Sequence, residues 1–185
     1  MKIKLSIDDG CASDMRVAEL CKKYGIECVF YWPVNWTSLA YSNGYKPLSH
    51  VNAEKISEVF EIGSHTITHR HLTRISVQEA KDEIKSSKEM LETMFNVKVT
   101  KFAPPRGYTN KELTDYTLKH YDSQRLTKGK GLLHIHPNSG ANGNIHWLDY
   151  AKQNDITEAW GHSWEFDKYK LWKELEKFMK EVSRG

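Results

Sequence analysis

The stretch KIKLSIDDG, residues 2–10, joins a strand pattern to a polar end. Its apolar side chains recur at every second position, which is typical of a β-strand that buries one face; they are Ile3, Leu5 and Ile7. The pattern ends at Asp8-Asp9-Gly10, where short carboxylates and a glycine favour a tight turn. We therefore predict a first strand that carries two carboxylates to its carboxyl end.

Outward from this strand, strand-like and helix-like segments alternate along the chain. Helical spacing of apolar residues after a Ser76–Glu79 capping box marks one long helix. Segment 33–49 contains Pro, Asn and Gly and is predicted to be an irregular, aromatic-rich loop. The six further predicted strands are 26–32, a short strand ending near Ser64, 99–103, 121–126, 131–136 and 158–164. The other predicted helices are 13–24, 52–59, one capped by Thr109 and Glu112 that runs to about His120, and one through Leu171, Leu175, Phe178 and Val182. Seven strands with intervening helices predict an α/β fold built on a parallel sheet or barrel.

Composition narrows the class of protein. The chain has 185 residues, of which 39% are hydrophobic and 28% charged, so we expect one globular domain over residues 1–185. The net charge of +3 is mild and the basic residues are dispersed, which gives no support to nucleic-acid binding. No apolar run approaches the roughly 20 residues of a membrane span. The first residues lack the features of a signal peptide, so we expect a cytoplasmic protein as given, with secreted or phage-associated action left open.

The three cysteines contain no Cys-x-x-Cys pair. An odd number without that spacing argues against a disulfide framework and against a structural zinc knot. The composition therefore fits a reducing compartment.

Polar clusters follow four of the predicted strands. In α/β folds, the chemistry lies at the carboxyl ends of the strands. The clusters are Asp8-Asp9-Gly10, SHTITH at 64–69, APPRGY at 103–108 and GHSWEFD at 161–167. Each is weak evidence by itself, but together they predict a site on one rim.

His65 and His69 are four residues apart and could bind one metal ion if they lie on a helical turn. The spacing alone is more often incidental, and Thr66 stands where a metalloprotease helix carries its glutamate. His71 is expected to point elsewhere. For His134 and His136, structural or rim roles are favoured over metal ligation, whereas a lone His162 gains weight only from the neighbouring clusters.

Four of these motifs, SIDDG, SHTITH, FAPPRGY and GHSWEFD, resemble in order those of the polysaccharide deacetylases, the NodB-homology domains of family 4 carbohydrate esterases. The resemblance runs from Leu5 to about Asp167. It implies a distorted (β/α) barrel with about seven parallel strands. It also implies hydrolysis of N-acetyl groups on N-acetylglucosamine polymers such as peptidoglycan or chitin.

The resemblance assigns roles to five residues. It implies that Asp9, His65 and His69 hold one divalent ion, with zinc as first choice and cobalt, nickel or manganese as alternatives. Asp8 is the expected general base and His162 the expected general acid. The chemistry agrees, because a carboxylate that does not bind the ion can accept a proton and an imidazole can donate one near neutral pH.

The third motif departs from the family pattern. Ala103 stands where the family has an arginine that orients the base, and Arg106 stands at the family's tyrosine position. One hypothesis is that Arg106 reaches back to Asp8 as a replacement. The alternative is that Arg106 contacts substrate while its backbone N–H stabilises an oxyanion. Pro105, Tyr108 and Trp164 complete the predicted substrate side, and Asp122 is the candidate that the fourth motif offers.

Three functions remain open at this point. The first is N-deacetylation of a carbohydrate. The second is a related amidohydrolase or deformylase reaction on a small-molecule or lipid-linked substrate, and the third is a catalytically silent carbohydrate-binding relative. An aromatic groove of Trp32, Trp36, Tyr41 and Tyr45 is the feature that would favour a polymer.

Overall fold

The computed structural model describes residues 2–138 and 147–184, and its strands form one parallel sheet. The sheet has seven strands in the order β5-β4-β3-β2-β1-β7-β6. They are β1 Lys4–Asp8, β2 Cys28–Trp32, β3 Glu61–Ser64, β4 Lys101–Phe102, β5 Ser123–Gln124, β6 Leu132–His134 and β7 Glu158–His162.

The two edges of the sheet face each other. One open cleft is lined by Ser123 and Gln124 of β5 and by Leu132 of β6, although these strands lie at opposite ends of the strand order. The sheet therefore curls into a half-barrel, which confirms the predicted distorted (β/α) barrel of seven parallel strands.

Helices cover the convex side of this half-barrel. They are α1 Asp14–Tyr24, α2 Trp36–Asn43, α3 His50–Ser57, α4 Val77–Phe95, α5 Lys111–His120, α6 Trp147–Gln153, α7 Ser163–Lys168 and α8 Trp172–Ser183. Across the described ranges, no helix has the length and apolarity needed to cross a membrane.

The two faces of β1 have opposite chemistry. Leu5 and Ile7 are fully buried in the main apolar core, which α1 and α8 also line. Ser6, on the other face, is equally buried but donates a hydrogen bond of 2.7 Å to Glu158. The alternation in the sequence thus arises because the inside of the half-barrel is polar, not because one face meets water.

Several predicted boundaries are wrong. Helix α2 lies inside the segment predicted to be a loop. The sequence did not predict this helix because it buries only Trp36 and Ala40 and has no clear apolar period. The cap of α5 is Asn110, whose side chain accepts a 2.9 Å hydrogen bond from Leu113 N, whereas the Thr109 hydroxyl is engaged elsewhere. The Ser76–Glu79 capping box at the start of α4 is confirmed.

The predicted aromatic groove does not form. Trp32 and Trp36 are buried in the core, and their indole N–H groups donate to Asp14 and to the Leu48 carbonyl, each at 2.9 Å. Tyr41 is exposed, and Tyr45 stacks on Trp164. The reason is that helices cover one face of the sheet, so the large aromatic residues Trp32 and Trp36 serve as core there.

Gly10 closes the turn after β1. Its φ is +71°, a left-handed conformation, and a Cβ at this position would lie 2.7 Å from Cβ of Trp36. Both the backbone conformation and the close packing of α2 therefore require glycine.

We expect Gly10→Ala to destabilise the protein more than Gly25→Ala. Both glycines have left-handed φ, +71° and +64°, but no atom lies within 4 Å of a Cβ added at Gly25. The control should cost about 1–2 kcal/mol for the conformation alone, and Gly10→Ala about 1–3 kcal/mol more for overpacking. Urea unfolding measures both, and equal losses would contradict the packing argument.

Candidate functional site

Parallel pairing brings the first and last strands along the chain, β1 and β7, side by side. In the register of β1 and β7, Asp8 lies opposite His162. On the other side of β1, β2 pairs with β3, whose last residue Ser64 leads directly into His65. The carboxyl ends of these strands therefore form one rim, and the polar clusters meet there.

Three side chains on this rim have the separations of metal ligands. Asp9 Oδ1 lies 3.6 Å from His65 Nε2 and 3.3 Å from His69 Nε2. Ligands of a tetrahedral zinc ion with bonds near 2.0–2.1 Å are separated by about 3.3–3.5 Å. Asp9 Oδ1 is buried and has no hydrogen-bond partner among the described residues. The donor set and this orphaned oxygen fit a divalent ion.

The two histidines do not lie on a helical turn, so that part of the prediction is wrong. Residues 65–69 form an irregular loop in which Thr66 and His69 have φ of 71° and 58°. The carboxylate of Glu83, from α4, holds the loop by accepting from the backbone N–H groups of Ile67 and Thr68 at 2.8 and 2.9 Å. The loop brings the imidazoles to a centroid separation of 4.9 Å, as a helix would.

Both histidines are prepared as neutral ligands. His65 Nδ1 lies 2.6 Å from the Ala103 carbonyl and donates to it, which leaves the lone pair of Nε2 for a metal. Burial lowers the pKa of His65 to about 4, and it lowers the pKa of His69 to about 4 as well. Neutral imidazole is the form that binds a metal ion.

The guanidinium that contacts Asp8 belongs to Arg125, not to Arg106. Arg125 Nη2 donates to Asp8 Oδ1, and both side chains are buried. The guanidinium lies 5.0 Å from the ring centroids of both Tyr31 and Trp160, which sandwich it. Burial by itself raises the pKa of Asp8, but Arg125 leads the charges that oppose it, and the pKa falls below its ordinary value.

Arg106 is exposed, so the hypothesis that it replaces the missing arginine is wrong. It adopts a left-handed φ of 61° in the short 3-10 turn Pro105–Gly107 and lines a cleft of about 470 Å³ with His134 and Trp160. The physical reason is geometric. Arg125 N donates to the Phe102 carbonyl, which puts Arg125 beside Ala103 on the next strand, and its side chain fills the polar interior there.

The remaining predicted substrate residues line the rim. Tyr108 is half exposed and stacks on His71 at a centroid distance of 4.2 Å. Trp164 stacks on Tyr45, with ring centroids 5.8 Å apart and planes within 7°. Pro105 is buried beneath the turn.

His162 lies between two carboxylates. Its Nε2 is 3.8 Å from Asp9 Oδ2, and its Nδ1 is 3.2 Å from Glu165 Oε2. Burial alone lowers the pKa of His162, yet the two carboxylates outweigh it and raise the pKa to about 9. Glu165 is buried, which raises its pKa, but His134 and His162 reverse this and lower it to about 2. His162 is therefore protonated near neutral pH and can act as a proton donor.

Sequence reasoning missed Arg125 and Glu165. Asp122 was the residue selected from the fifth strand, but it is exposed at the amino end of β5, away from the rim. The rule that chemistry gathers at carboxyl strand ends would have selected Arg125 instead. For Glu165 the signal was its position three residues after His162 at the start of α7.

Comparison with known proteins identifies relatives of this chain. A family model described as polysaccharide deacetylase matches residues 1–122. The peptidoglycan-N-acetylmuramic acid deacetylase PdaC of Bacillus subtilis (strain 168) is 31% identical over 113 residues, 60% of this chain and 22% of PdaC. YxkH of the same strain is 28% identical over 115 residues, 60% of this chain and 38% of YxkH. The chain thus spans well under half the length of these curated relatives.

A solved structure agrees in fold. BA3943 from Bacillus anthracis, a CE4 family pseudoenzyme, superposes with a TM-score of 0.73 over 99% of this chain and 60% of its own. The sequence identity of 17% makes this a likeness of fold alone.

We expect Arg125→Met to lower the free energy of unfolding at pH 7 by about 3–5 kcal/mol, because it leaves the buried charge of Asp8 unpaired. Arg106→Met is the matched control and should change it by less than about 0.5 kcal/mol, since Arg106 is exposed. Denaturant unfolding measures both, and similar losses would contradict the assignment of the ion pair.

The deficit of Arg125→Met should also depend on pH. The native pKa of Asp8 is lowered, so the ion pair stabilises the fold above the unfolded-state pKa and is lost as pH falls. The difference between wild type and Arg125→Met should therefore be largest near pH 7 and shrink below about pH 4. A deficit that grows on acidification would have the wrong sign.

Proposed function

The chain belongs to the polysaccharide deacetylase family, and on that basis we propose that it removes N-acetyl groups from an N-acetylglucosamine-containing carbohydrate with the help of one divalent ion. The observation that carries the proposal is the convergence of three groups on one rim. These are a metal-ligand set, a carboxylate paired with arginine, and an imidazole beside the ligand carboxylate.

Asp9, His65 and His69 would hold the ion. When bound, it supplies Lewis-acid chemistry to an amide carbonyl and to a water molecule. The protein's share is to present these ligands deprotonated and already oriented, through the Ala103 carbonyl and the loop anchored by Glu83.

Asp8 is the proton acceptor in this proposal. Its pairing with Arg125 keeps it ionised, and the sandwich of Tyr31 and Trp160 holds the guanidinium in place. A general base must be fixed within reach of the proton that it takes, so a rigid, charged Asp8 next to the ligand Asp9 suits that role.

His162 is the proton donor. It lies near Asp9 Oδ2, whereas the two ligand histidines lie near Oδ1, so it would be placed beside the ion to protonate a leaving amine. Glu165, which is not part of the first ligand set, keeps His162 protonated from the Nδ1 side. Protonation of the leaving amine completes hydrolysis.

The rim offers surfaces for a sugar. The stacked rings of Tyr45 and Trp164 flank His162, and Trp164 lies 5.6 Å from it between centroids. On the other side, the cleft of about 470 Å³ is lined by Arg106, Lys128 and His134. Aromatic surfaces with a few polar groups are typical of sites that orient a small ligand.

A catalytically silent role has support from the likeness to a pseudoenzyme, since the fold alone does not establish catalysis. The buried Asp8–Arg125 pair favours an enzyme, because isolating a charged base from water is costly and a pure binding site has no use for it.

We expect His65→Ala to lose most of the bound ion at this centre and nearly all release of acetate from a panel of N-acetylated sugars. His71→Ala is the control, because His71 stacks on Tyr108 outside the ligand set. Acetate assays with elemental analysis test both. Acetate release at the wild-type rate by metal-depleted His65→Ala would contradict the proposal, and activity on nonsugar amides alone would favour the amidohydrolase alternative.

Asp8→Asn should keep the ion but lower turnover by about 10²–10⁴, because it removes proton transfer and leaves the ligands in place. The change also removes a charge from Arg125, so the folded fraction is checked by circular dichroism. A turnover near that of wild type in the folded variant would exclude Asp8 as the base.

A further inference from the structure

We infer that the protein has a second binding site for a divalent transition-metal ion, formed by His134, His162 and Glu165 beside the first centre. The three ligand atoms, one from each side chain, lie within 4.8 Å of one another. His134 lines the neighbouring cleft, but it neither holds the ion nor moves a proton in the proposed first centre, and Glu165 acts there only through His162.

The separations match those of the first ligand set. Glu165 Oε2 lies 3.4 Å from His134 Nε2 and 3.2 Å from His162 Nδ1. In the first set the corresponding distances from Asp9 Oδ1 are 3.6 and 3.3 Å. In both sets one carboxylate oxygen thus lies 3.2–3.6 Å from two imidazole nitrogens, close to the separation of about 3.3–3.5 Å between tetrahedral zinc ligands.

All three atoms are buried and, apart from their mutual ion-pair contacts, lack a hydrogen bond of good geometry among the described residues. In the part of the chain that the structure describes, none of His134 Nε2, His162 Nδ1 and Glu165 Oε2 has a partner of good hydrogen-bond geometry. Glu165 is 5% exposed, so its carboxylate is directed into the cluster and away from water. Asp9 Oδ1 of the first centre shows the same orphaned state.

The fold holds these ligands rigidly. His134 ends β6 and its ring lies flat on Trp160 of β7, with centroids 4.0 Å apart and planes within 8°. His162 ends β7, and Glu165 lies three residues later on α7. His136 Nε2, 3.9 Å from Glu165 Oε1, adds a third imidazole at the margin of the cluster. Two imidazoles and a carboxylate favour zinc and its neighbours over calcium or magnesium.

Occupation of this site has a functional consequence, which rests on the proposed function. An ion there uses the lone pair of His162 Nδ1, so the ring cannot at the same time be the imidazolium that donates a proton from Nε2. Excess zinc should therefore inhibit deacetylation, while the first centre stays filled.

The test is a zinc titration of chelator-stripped protein at stepped free Zn²⁺, with ions per chain measured by elemental analysis. Wild type should bind about one ion at low free zinc and about two at excess. Glu165→Gln and His134→Phe should stop at about one, and His134→Phe retains the stacking on Trp160. His71→Phe, from a stacked pair outside both sites, is the matched control and should bind about two.

The outcomes separate this inference from the proposed function. His65→Ala should keep about one ion, held by the second site. Saturation of wild type at one ion, or a second ion that persists in both Glu165→Gln and His134→Phe, would overturn the second site. Two ions without acetate release from any sugar would support the site and contradict the deacetylation. If both hold, excess zinc lowers acetate release by wild type, whereas the rate of His134→Phe, compared with its own rate at low free zinc, does not fall.

Discussion

The buried ion pair between Arg125 and Asp8 is the interaction on which the geometry of the site depends. Arg125 follows an edge strand, and Asp8 ends β1, which is four places along in the strand order. The two can meet only across the interior of a curled sheet. The pair therefore ties the curl of the half-barrel to the position and charge of Asp8, and the flanking rings of Tyr31 and Trp160 exclude water from it. Burying an arginine without such a partner would cost free energy of folding. The curvature of the sheet and the charge pairing of the site therefore depend on each other.

Charge alternates in an ordered way along the rim. Arg125 faces Asp8, Asp9 faces three imidazoles, and Glu165 faces three as well. His162 belongs to both groups, since its two ring nitrogens point to different carboxylates. This shared imidazole explains why the pKa values of His65 and His162 move in opposite directions although both are buried near Asp9. At His162 burial lowers the pKa, but the charge of Asp9, followed by the contact with Glu165, outweighs burial and raises the pKa, whereas at His65 burial prevails and lowers it.

Both a local backbone turn and contacts between distant residues position the side chains of the centre. Gly10 allows the turn after β1 to pack against Trp36. Glu83 of α4 fixes the loop between the two ligand histidines through the backbone N–H groups of Ile67 and Thr68, 16 and 15 residues earlier in the chain. The fold is shared with a pseudoenzyme, so the framework by itself does not establish catalysis. The proposal of deacetylation therefore rests on the family match and on the side chains of the rim.

The sequence by itself determined the seven alternating strands, the capping box at Ser76 and the collection of Asp8, Asp9, His65, His69 and His162 on one rim. These depend on periodicity and on the topological rule that parallel strands end at one edge, both of which are local or general. Tertiary structure alone decided that Arg125 and not Arg106 meets Asp8, that Trp32 and Trp36 are core, and that Glu165 gathers His134 and His162. Apart from the His162–Glu165 pair, which is three residues apart, these are contacts between residues whose distance along the chain carries no information about their distance in space. The curl of the sheet sets that distance, and the curl is a property of all seven strands together.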